Sequence, residues 1–332
     1  MQFTKAHFDP LKSDGAVVDE QGHVIVRTGN KDTDVYVFSA EIVLAVNVAM
    51  VTRRPLLLSG EPGCGKTTLA ASAARVLKRT FFRETVTSQT RAVDLLWRFD
   101  TLRRLNDAQT PQQPLQERQY YVEPGTLWWA FDPESAERRG KRVTAAPEFH
   151  ARNPGIDEAG GDAVVLIDEI DKADPDVPND LLEPFDVNSF TVRETTDPIV
   201  RTRNVLLVLT TNGERELPPA FLRRCVALRL PDPTEDWFVT VAERRLNTTT
   251  RETPLIREVA KATMGWRQAA TSAGVRRPGT AEFLDALLAC RELGLSPESP
   301  AWRVVANAVL WKNDKLAPVF EKLRDESRDF TS

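Results

Sequence analysis

The chain has 332 residues, a formal net charge of -4, 28% charged residues and 41% hydrophobic residues. This composition is typical of a globular chain with one large domain or two smaller ones, and its mild acidity argues against general coating of nucleic acid. Without a signal-like leader or an apolar run near the roughly 18 residues of a membrane span, the sequence predicts a cytoplasmic protein with no membrane partner.

Three cysteines and three histidines are scattered along the chain. They do not support a disulfide framework, a zinc cluster or imidazole catalysis. In chain order, strand candidates at 23–27 and 34–38 come first. A helix over 39–54 follows, with Ser39 as its predicted N-cap. Apolar runs then predict buried strands, and the intervening segments read as helices, including one over 92–105. The strand candidates are 56–59, 81–86, 163–167, 204–210 and 226–230.

Strands that alternate with helices predict an α/β fold with a parallel sheet covered on both faces. Residues 132–162 are polar and predict a long surface loop. After Pro231 the pattern changes, and only helical periodicity remains, at 235–246, 253–270, 280–293 and 300–312. The sequence therefore predicts an N-terminal extension (1–38), a large α/β domain (39–231) and a helical C-terminal domain (232–332).

Residues 60–67, GEPGCGKT, match the pattern G-x-x-x-x-G-K followed by Ser or Thr, between a predicted strand and a predicted helix. Glycines let successive backbone amides turn inward, and the helix N-terminus adds partial positive charge. Lys66 can reach the β and γ phosphates of ATP, while the Thr67 hydroxyl can ligate Mg²⁺. The predicted nucleotide-binding residues are Gly60, Glu61, Pro62, Gly63, Cys64, Gly65, Lys66, Thr67 and Thr68.

Polar side chains follow two of the predicted buried strands. Asp168 and Glu169 end the run AVVLIDE, and Thr210, Thr211 and Asn212 end LLVLTTN. At the carboxyl edge of a parallel sheet such groups face the ligand crevice. We therefore predict that Asp168 holds Mg²⁺ and that Glu169 polarises the attacking water, which the second set of polar groups orients.

Two arginine pairs follow. We predict that Arg224, with Arg223 as the alternative, enters the site of a neighbouring subunit and stabilises charge on the transferring phosphoryl group. Near the start of the helix over 280–293, Arg277, with Arg276 as the alternative, is predicted to contact the γ-phosphate and couple the lid to nucleotide state.

Three features have competing interpretations. Cys64 is either a redox-sensitive thiol at a helix N-terminus or a small residue that fills a variable loop position; the second is favoured. Trp128 and Trp129 either grip a partner or pack on the core, and packing of one ring is favoured. The basic run RRGKR at 138–142 is either a nucleic-acid contact or, as we favour, a solvated loop.

With a phosphate loop, an acidic strand end, an asparagine-bearing strand end and two arginine pairs in this order, the chain resembles an AAA+ ATPase. Residues 36–70 and 94–105 look like the MoxR branch. The resemblance implies an αβα core with strand order 5-1-4-3-2, a helical lid, ATP with Mg²⁺, and a ring, usually hexameric, of identical subunits. It also implies two substrate-facing insertions, here about 88–130 and a β-hairpin over 185–203.

One segment departs from the branch. After the acidic pair, MoxR members more often read Asn-Arg-Ala, whereas this chain has IDKADPDVPNDLLEPFD. It is similar to a divergent subgroup found beside von Willebrand A-domain proteins, so a protein of that type is the implied client. The main expectation is a chaperone-like ATPase that remodels a protein partner. An ATP-driven assembly switch in a bacterial conflict system and a nucleic-acid-directed motor are the alternatives.

Overall fold

The computed structural model describes residues 6–19, 22–27, 35–110, 115–138, 161–194, 198–246, 253–297, 299 and 301–311. The chain divides into two compact units after Leu230. The second unit begins at Pro231 and also includes the loop segment Glu61–Gly65. The remainder of the chain forms the first unit.

The first unit contains the strands and most of the short helices. Its strands, numbered in chain order, are β1 Val17–Val18, β2 Val24–Arg27, β3 Val35–Phe38, β4 Leu56–Ser59, β5 Thr80–Thr85, β6 Trp97–Phe99, β7 Val122–Pro124, β8 Ala163–Asp168, β9 Ser189–Thr191, β10 Pro198–Val200, β11 Val205–Thr211 and β12 Val226–Arg229. Its helices are α1 Ala40–Thr52, α2 Lys66–Val76, α3 Ala92–Leu96, α4 Thr101–Gln109, α5 Thr126–Phe131, α6 Pro133–Glu137, α7 Val177–Val187 and α8 Pro219–Leu222.

A five-stranded parallel sheet with the order β12-β4-β11-β8-β5 forms the centre of this unit. Counted within the sheet this is 5-1-4-3-2, so the predicted order is confirmed. All six residues of β8 are buried, as expected for an inner parallel strand covered on both faces. Because all five strands run the same way, the polar residues that end β8 and β11 lie at one edge.

The helix α1 begins where the sequence predicts. The Ser39 hydroxyl accepts a hydrogen bond from the Ile42 amide at 3.3 Å and caps the helix. Farther along, the buried Asn47 side chain accepts from the amides of His7 and Phe8 at 2.8 and 2.9 Å. It also donates to the Phe8 carbonyl at 2.7 Å. A single buried amide therefore fixes the start of the described chain to α1.

The prediction of a continuous helix over 92–105 was wrong, because this segment forms α3, then β6, then the start of α4. The strand β6 pairs antiparallel with β7, and Asp100 then caps α4 by accepting from the Arg103 amide at 2.8 Å. The backbone of Gly125 approaches that of Leu95 closely enough that a Cβ would lie 2.5 Å from its carbonyl oxygen. Long-range pairing therefore overrides the local helical pattern.

The hairpin predicted over 185–203 is formed by β9 and β10, although its first residues, 185–187, complete α7. Both tryptophans of α5 are buried, with exposed fractions of 0% for Trp128 and 2% for Trp129. The Trp128 ring packs edge-on against Phe190 of the hairpin at 6.0 Å. The favoured interpretation, packing on the core, is therefore confirmed and extends to both rings, and the alternative in which the rings are exposed to grip a partner is wrong.

The chain after the hairpin completes the hydrogen bonding of α5. The Arg203 guanidinium donates to the carbonyls of Trp129 and Ala130 at 2.6 and 2.7 Å, and the Thr202 amide donates to that of Phe131 at 3.0 Å. These are carbonyls of the last turn, which have no partner within a helix. The two predicted insertions are thus joined in two ways: Arg203 and Thr202 cap the C-terminus of α5, and the Trp128 ring packs against Phe190.

Part of the predicted surface loop is ordered as α6, in which Arg138 follows the helix and bonds to Glu134 at 2.5 Å. Residues 139–160 of that loop, which include the remainder of the basic run at 138–142, lie outside the described residues.

The second unit is helical from Thr234 onward within the described ranges. Its elements are α9 Glu235–Arg245, α10 Thr253–Ser272, α11 Thr280–Leu293, α12 Trp302–Val305 and a π-helical stretch Ala306–Trp311. The rings of Phe238 and Phe283 lie 4.6 Å apart in its apolar core. In the part of the chain that the structure describes, no helix combines the length and apolarity needed to cross a membrane.

Candidate nucleotide site

The segment between β4 and α2 has the backbone of a phosphate-binding loop. Gly60, Gly63 and Gly65 adopt φ angles of 145°, 81° and 94°, which other residues rarely adopt. The Lys66 side chain is buried to 7% exposure, and its Nζ donates to the Gly60 carbonyl at 2.6 Å. The ammonium therefore bends back over the loop, as a phosphate-binding lysine requires.

Asp168, the last residue of β8, is the centre of a hydrogen-bond network at the carboxyl edge of the sheet. The Thr67 hydroxyl lies 3.0 Å from its Oδ2, and the Thr210 hydroxyl donates to its Oδ1 at 2.6 Å. Arg83, which belongs to the neighbouring strand β5, forms an ion pair with Oδ2 at 2.8 Å. Three elements therefore hold a buried carboxylate in one orientation.

Glu169 is held at both its backbone and its carboxylate. Its φ of 61° lies in the left-handed region, which is uncommon outside glycine and costs free energy. Its amide donates to the Thr210 hydroxyl at 2.9 Å, and its Oε1 accepts from Asn212 at 3.2 Å. Its Oε2 accepts from Lys172 at 2.8 Å, and this bond raises the pKa of that lysine. The carboxylate is thus oriented by two donors, Asn212 and Lys172.

A second buried carboxylate positions Asn212. Asp171, which is 3% exposed, accepts from the amides of Asn212 and Glu214 at 3.2 and 2.9 Å. These bonds fix the turn after β11 against the turn after β8. The side-chain amide of Asn212 is therefore presented to Glu169 by a rigid backbone.

The donor set near Thr67 fits Mg²⁺. Its hydroxyl and the Asp168 carboxylate supply hard oxygen atoms side by side, and Mg²⁺ usually binds through one or two carboxylates together with substrate phosphates. Among the residues that the structure describes, no cluster of three or more His, Cys, Asp or Glu side chains could form an all-protein metal cage. This pattern matches an ion that arrives with a nucleotide.

The first arginine pair lies on the surface of the same unit, just after α8. Both side chains are exposed, and Arg224 forms an ion pair with Asp186 at 3.3 Å. The Arg223 backbone carbonyl accepts a long bond from Arg54. Neither arginine belongs to the network around Asp168 and Glu169.

The second pair lies in the helical unit, together with Glu61 of the loop. Arg277 forms an ion pair with Glu61 and bonds to Asp232 at 3.3 Å, and its pKa is raised chiefly by the bond to Glu61. Arg276 is paired instead with Glu282 at 2.9 Å. The two neighbouring arginines therefore have separate carboxylate partners.

Backbone packing explains the Pro-Gly before α11. A Cβ at Gly279 would lie 2.9 Å from the Pro62 carbonyl oxygen and 3.0 Å from the Gly63 Cα. Only glycine allows this approach of the turn to the loop segment.

The thiols are shielded. Cys64 is buried at 7% exposure, and burial raises the pKa of Cys225 to about 12 and that of Cys290 above its usual value. Burial also limits access of oxidants to the loop cysteine.

Sequence reasoning missed Arg83, Asp171 and Lys172. The last two stand in the run IDEIDK, where an offset of three residues could have indicated that Lys172 reaches Glu169. No local signal marks Arg83, since its contact with Asp168 follows from the pairing of β5 with β8.

Comparison with known proteins identifies the family. Residues 55–225, just over half of the chain, match the family model described as an AAA domain of the dynein-related subfamily. The chain belongs to this AAA family. The matched range begins one residue before β4 and ends just before β12, so it contains the loop, Asp168, Glu169 and Asn212. Family membership supports nucleotide binding by the AAA domain and, in general terms, ATP hydrolysis.

Individual relatives are distant from this AAA protein. The Lon protease of Halothermothrix orenii is 28% identical over 198 residues, which are 58% of this chain and 20% of that protein. Two solved variants of RuvB from Thermotoga maritima are each 15% identical, with TM-scores of 0.41 and 0.43. The matches cover 80% and 85% of this chain and 66% and 69% of the RuvB chains.

Proposed function

We propose that the protein hydrolyses ATP with Mg²⁺ as a ring-forming, MoxR-like AAA+ ATPase and uses the cycle to remodel a protein client. The observation that carries the proposal is the meeting of Thr67, Asp168, Glu169 and Asn212 at the carboxyl edge of the sheet, where the phosphate loop enters α2. Few arrangements other than a nucleoside triphosphatase need a phosphate cradle, a metal carboxylate and an oriented second carboxylate together.

The loop residues bind the phosphate tail. Backbone amides turned inward by the glycines contact the phosphate oxygens, and the Lys66 ammonium exchanges the Gly60 carbonyl for the β and γ phosphates. Thr67 and Asp168 would hold Mg²⁺, which would neutralise charge on those phosphates.

Glu169 acts as the general base. Its carboxylate takes a proton from a water molecule as that oxygen bonds to the γ-phosphorus and the bond to the β–γ bridging oxygen breaks. Asn212 keeps the carboxylate aligned and is available to orient the water. Thr210, which was also predicted to orient it, bonds instead through its buried hydroxyl to Asp168 and to the Glu169 amide. Lys172 forms an ion pair with the same carboxylate of Glu169 at 2.8 Å and restrains its position.

Two arginines complete the proposed cycle. Arg224 is exposed and lies outside the network of its own subunit, which fits action on the γ-phosphate of a neighbour in the ring. Arg277 is the proposed sensor in the helical unit. On nucleotide binding it exchanges Glu61 for the γ-phosphate, and this exchange links the lid to the bound state.

The client is proposed to be a protein, with a von Willebrand A-domain protein as the first candidate. Support comes from the net charge of -4 and from the hairpin β9–β10, which projects Thr191 and Val200 as exposed residues. A peptide-handling surface needs no basic field, whereas a nucleic-acid motor does.

The test uses three variants of the full chain. Lys66→Ala should abolish binding of a fluorescent ATP analogue, while the exposed-lysine control Lys261→Ala should bind normally. Glu169→Gln should bind ATP and lose turnover at least about a hundredfold, while the exposed-carboxylate control Glu183→Gln should keep it. The proposal fails if Lys66→Ala binds like the wild type or if Glu169→Gln still turns over.

The ring and the client need their own measurements. Arg224→Ala mixed with wild-type subunits should lower activity more steeply than its share of the mixture, because one arginine serves the neighbouring site. A strictly proportional loss would refute action between subunits. Glu169→Gln, loaded with ATP, should retain the client in a pull-down that the Lys66→Ala chain does not reproduce. Retention of DNA or RNA alone would replace the protein-client proposal.

A further inference from the structure

A cavity of about 300 Å³ lies at the amino edge of the central sheet, opposite the nucleotide residues. Its walls come from the turn between α1 and β4, the residue before β5, the chain that enters β11, and Phe185 of α7. Strands in a parallel sheet begin at one edge and end at the other. The cavity is therefore separated by the length of the strands from Asp168 and Glu169.

The charge of this cavity is one-sided. Arg53, Arg54, Arg79 and Arg201 all line it. Arg79 is neutralised by Asp162 at 2.8 Å, and Arg54 donates to the backbone carbonyl of Arg223 at 3.5 Å. Within the described ranges, no carboxylate pairs with Arg53 or Arg201.

Arg53 and Arg201 act on each other. Arg201 is half-buried, and its pKa is lowered by burial and by the neighbouring charge of Arg53. Its guanidinium also lies 6.0 Å from the Phe131 ring centroid, so an aromatic face partly covers it. Two like charges that line one cavity, one of them half-buried, repel each other, and a bound anion would remove that repulsion.

The backbone fixes the pair. Arg53 adopts a φ of 56° as the C-cap of α1, and its amide bonds to the Ala49 carbonyl. The Arg201 amide donates to the Asn188 carbonyl at 2.9 Å. Each guanidinium therefore starts from an ordered backbone position, so binding an anion orders little additional chain.

We propose that this cavity is a second anion site, separate from the nucleotide site, in which Arg53 and Arg201 bind the phosphate group of a small ligand. Guanidinium groups match phosphate with paired, charge-assisted hydrogen bonds. The volume is at the lower end for small-molecule pockets, and Ala49, Phe185 and Leu206 provide an apolar wall for the remainder of such a ligand.

The test removes the first phosphate site and asks whether a second remains. Lys66→Ala protein is titrated calorimetrically with inorganic phosphate, pyrophosphate and ribose 5-phosphate, with sodium chloride at equal ionic strength as the blank. We expect binding at millimolar concentration or below, and tighter binding of ribose 5-phosphate than of phosphate if the apolar wall is used. If ribose 5-phosphate and inorganic phosphate bound with equal affinity, free phosphate would be identified as the occupant, and the proposal of a second anion site would still be supported.

The matched variants decide the location. Arg53→Gln and Arg201→Gln, each in the Lys66→Ala background, should weaken binding about tenfold or more, whereas the exposed-arginine control Arg193→Gln should not. The proposal is overturned if the Lys66→Ala protein binds none of the three probes or if neither cavity variant weakens binding. Circular dichroism checks that each variant is folded. If Arg201→Gln is unfolded, the location of the site is decided by Arg53→Gln, because Arg53 is exposed and its replacement should not affect folding.

Discussion

Replacement of Arg203 by methionine tests the link between the two insertions. In the native chain this guanidinium donates to the carbonyls of Trp129, Ala130 and Gly161 at 2.6, 2.7 and 2.9 Å. It also lies 5.6 Å from the Phe82 ring centroid, and burial lowers its pKa. Methionine keeps the apolar stem and removes every donor.

The expected cost follows from these contacts. Three hydrogen bonds with a net value of about 1 kcal/mol each give about 3 kcal/mol, and the carbonyls left without a donor add to this. Methionine recovers part of the loss, because an uncharged side chain avoids the desolvation of the guanidinium. We therefore expect a loss of about 2–3 kcal/mol, or a decrease in Tm of roughly 5–10 °C for a unit of this size.

Thermal unfolding followed by far-ultraviolet circular dichroism, supported by guanidinium titration, measures the loss. Arg193→Met is the control, because Arg193 is exposed and lies on the same insertion. Arg203→Lys should fall between wild type and methionine, since an ammonium cannot reach three carbonyls at once. If Arg203→Met lost no more stability than Arg193→Met, the cap on α5 would contribute nothing and the reasoning would be wrong.

Three further predictions follow from the same structure. Gly125→Ala should destabilise the fold by about 1–3 kcal/mol, because its Cβ would lie 2.5 Å from the Leu95 carbonyl oxygen; an unchanged denaturation midpoint would contradict that packing. Lys172→Met should raise the kcat of ATP hydrolysis about two- to fivefold at constant KM, because the partly exposed contact with Glu169 is worth about 0.5–1 kcal/mol; an unchanged kcat would show that the lysine does not restrain the base. Cys225, with its pKa near 12, is about 10⁻⁴ thiolate at pH 8 and should resist iodoacetamide until the protein is unfolded. Full alkylation of native protein, detected by mass spectrometry, would refute the burial of that thiol.

Features decided by short-range pattern could be predicted from the sequence. Ser39 caps α1 because a hydroxyl before an apolar helix satisfies an amide three residues on. The order of the central sheet came from the family resemblance, and the apolar run of β8 gave its burial. The helix cap and the burial of β8 depend on residues that are contiguous in the chain, whereas the sheet order could be given only through the resemblance.

Features decided by distant pairing could not be predicted. The helical pattern at 92–105 is locally sound, yet β6 forms because β7 supplies a partner about 25 residues later. The burial of Trp128 depends on Phe190, which belongs to another insertion. Arg83 likewise reaches Asp168 only because β5 and β8 are neighbours in the sheet.

For the candidate site, the motif pattern selected Lys66, Thr67, Asp168, Glu169 and Asn212, and the structure places the last four in one network. The pattern could not give the left-handed backbone of Glu169, because that conformation results from the turn into the short helix that follows. The motif pattern also did not predict the carboxylate partners of Arg224, Arg276 and Arg277, because these ion pairs depend on tertiary contacts.

The interlock between α5 and the hairpin limits how these surfaces can diversify. Phe131 contacts both Phe185 and Phe190, at 5.0 and 6.0 Å, and the arginine cap joins the same two segments. If the hairpin were replaced by that of a relative without a matching α5, a cavity would form beneath the new loop. The carbonyls of Trp129 and Ala130 would also lose their hydrogen-bond donor. The hairpin and α5 therefore form one structural piece, and any redesign of this surface should exchange both in one step.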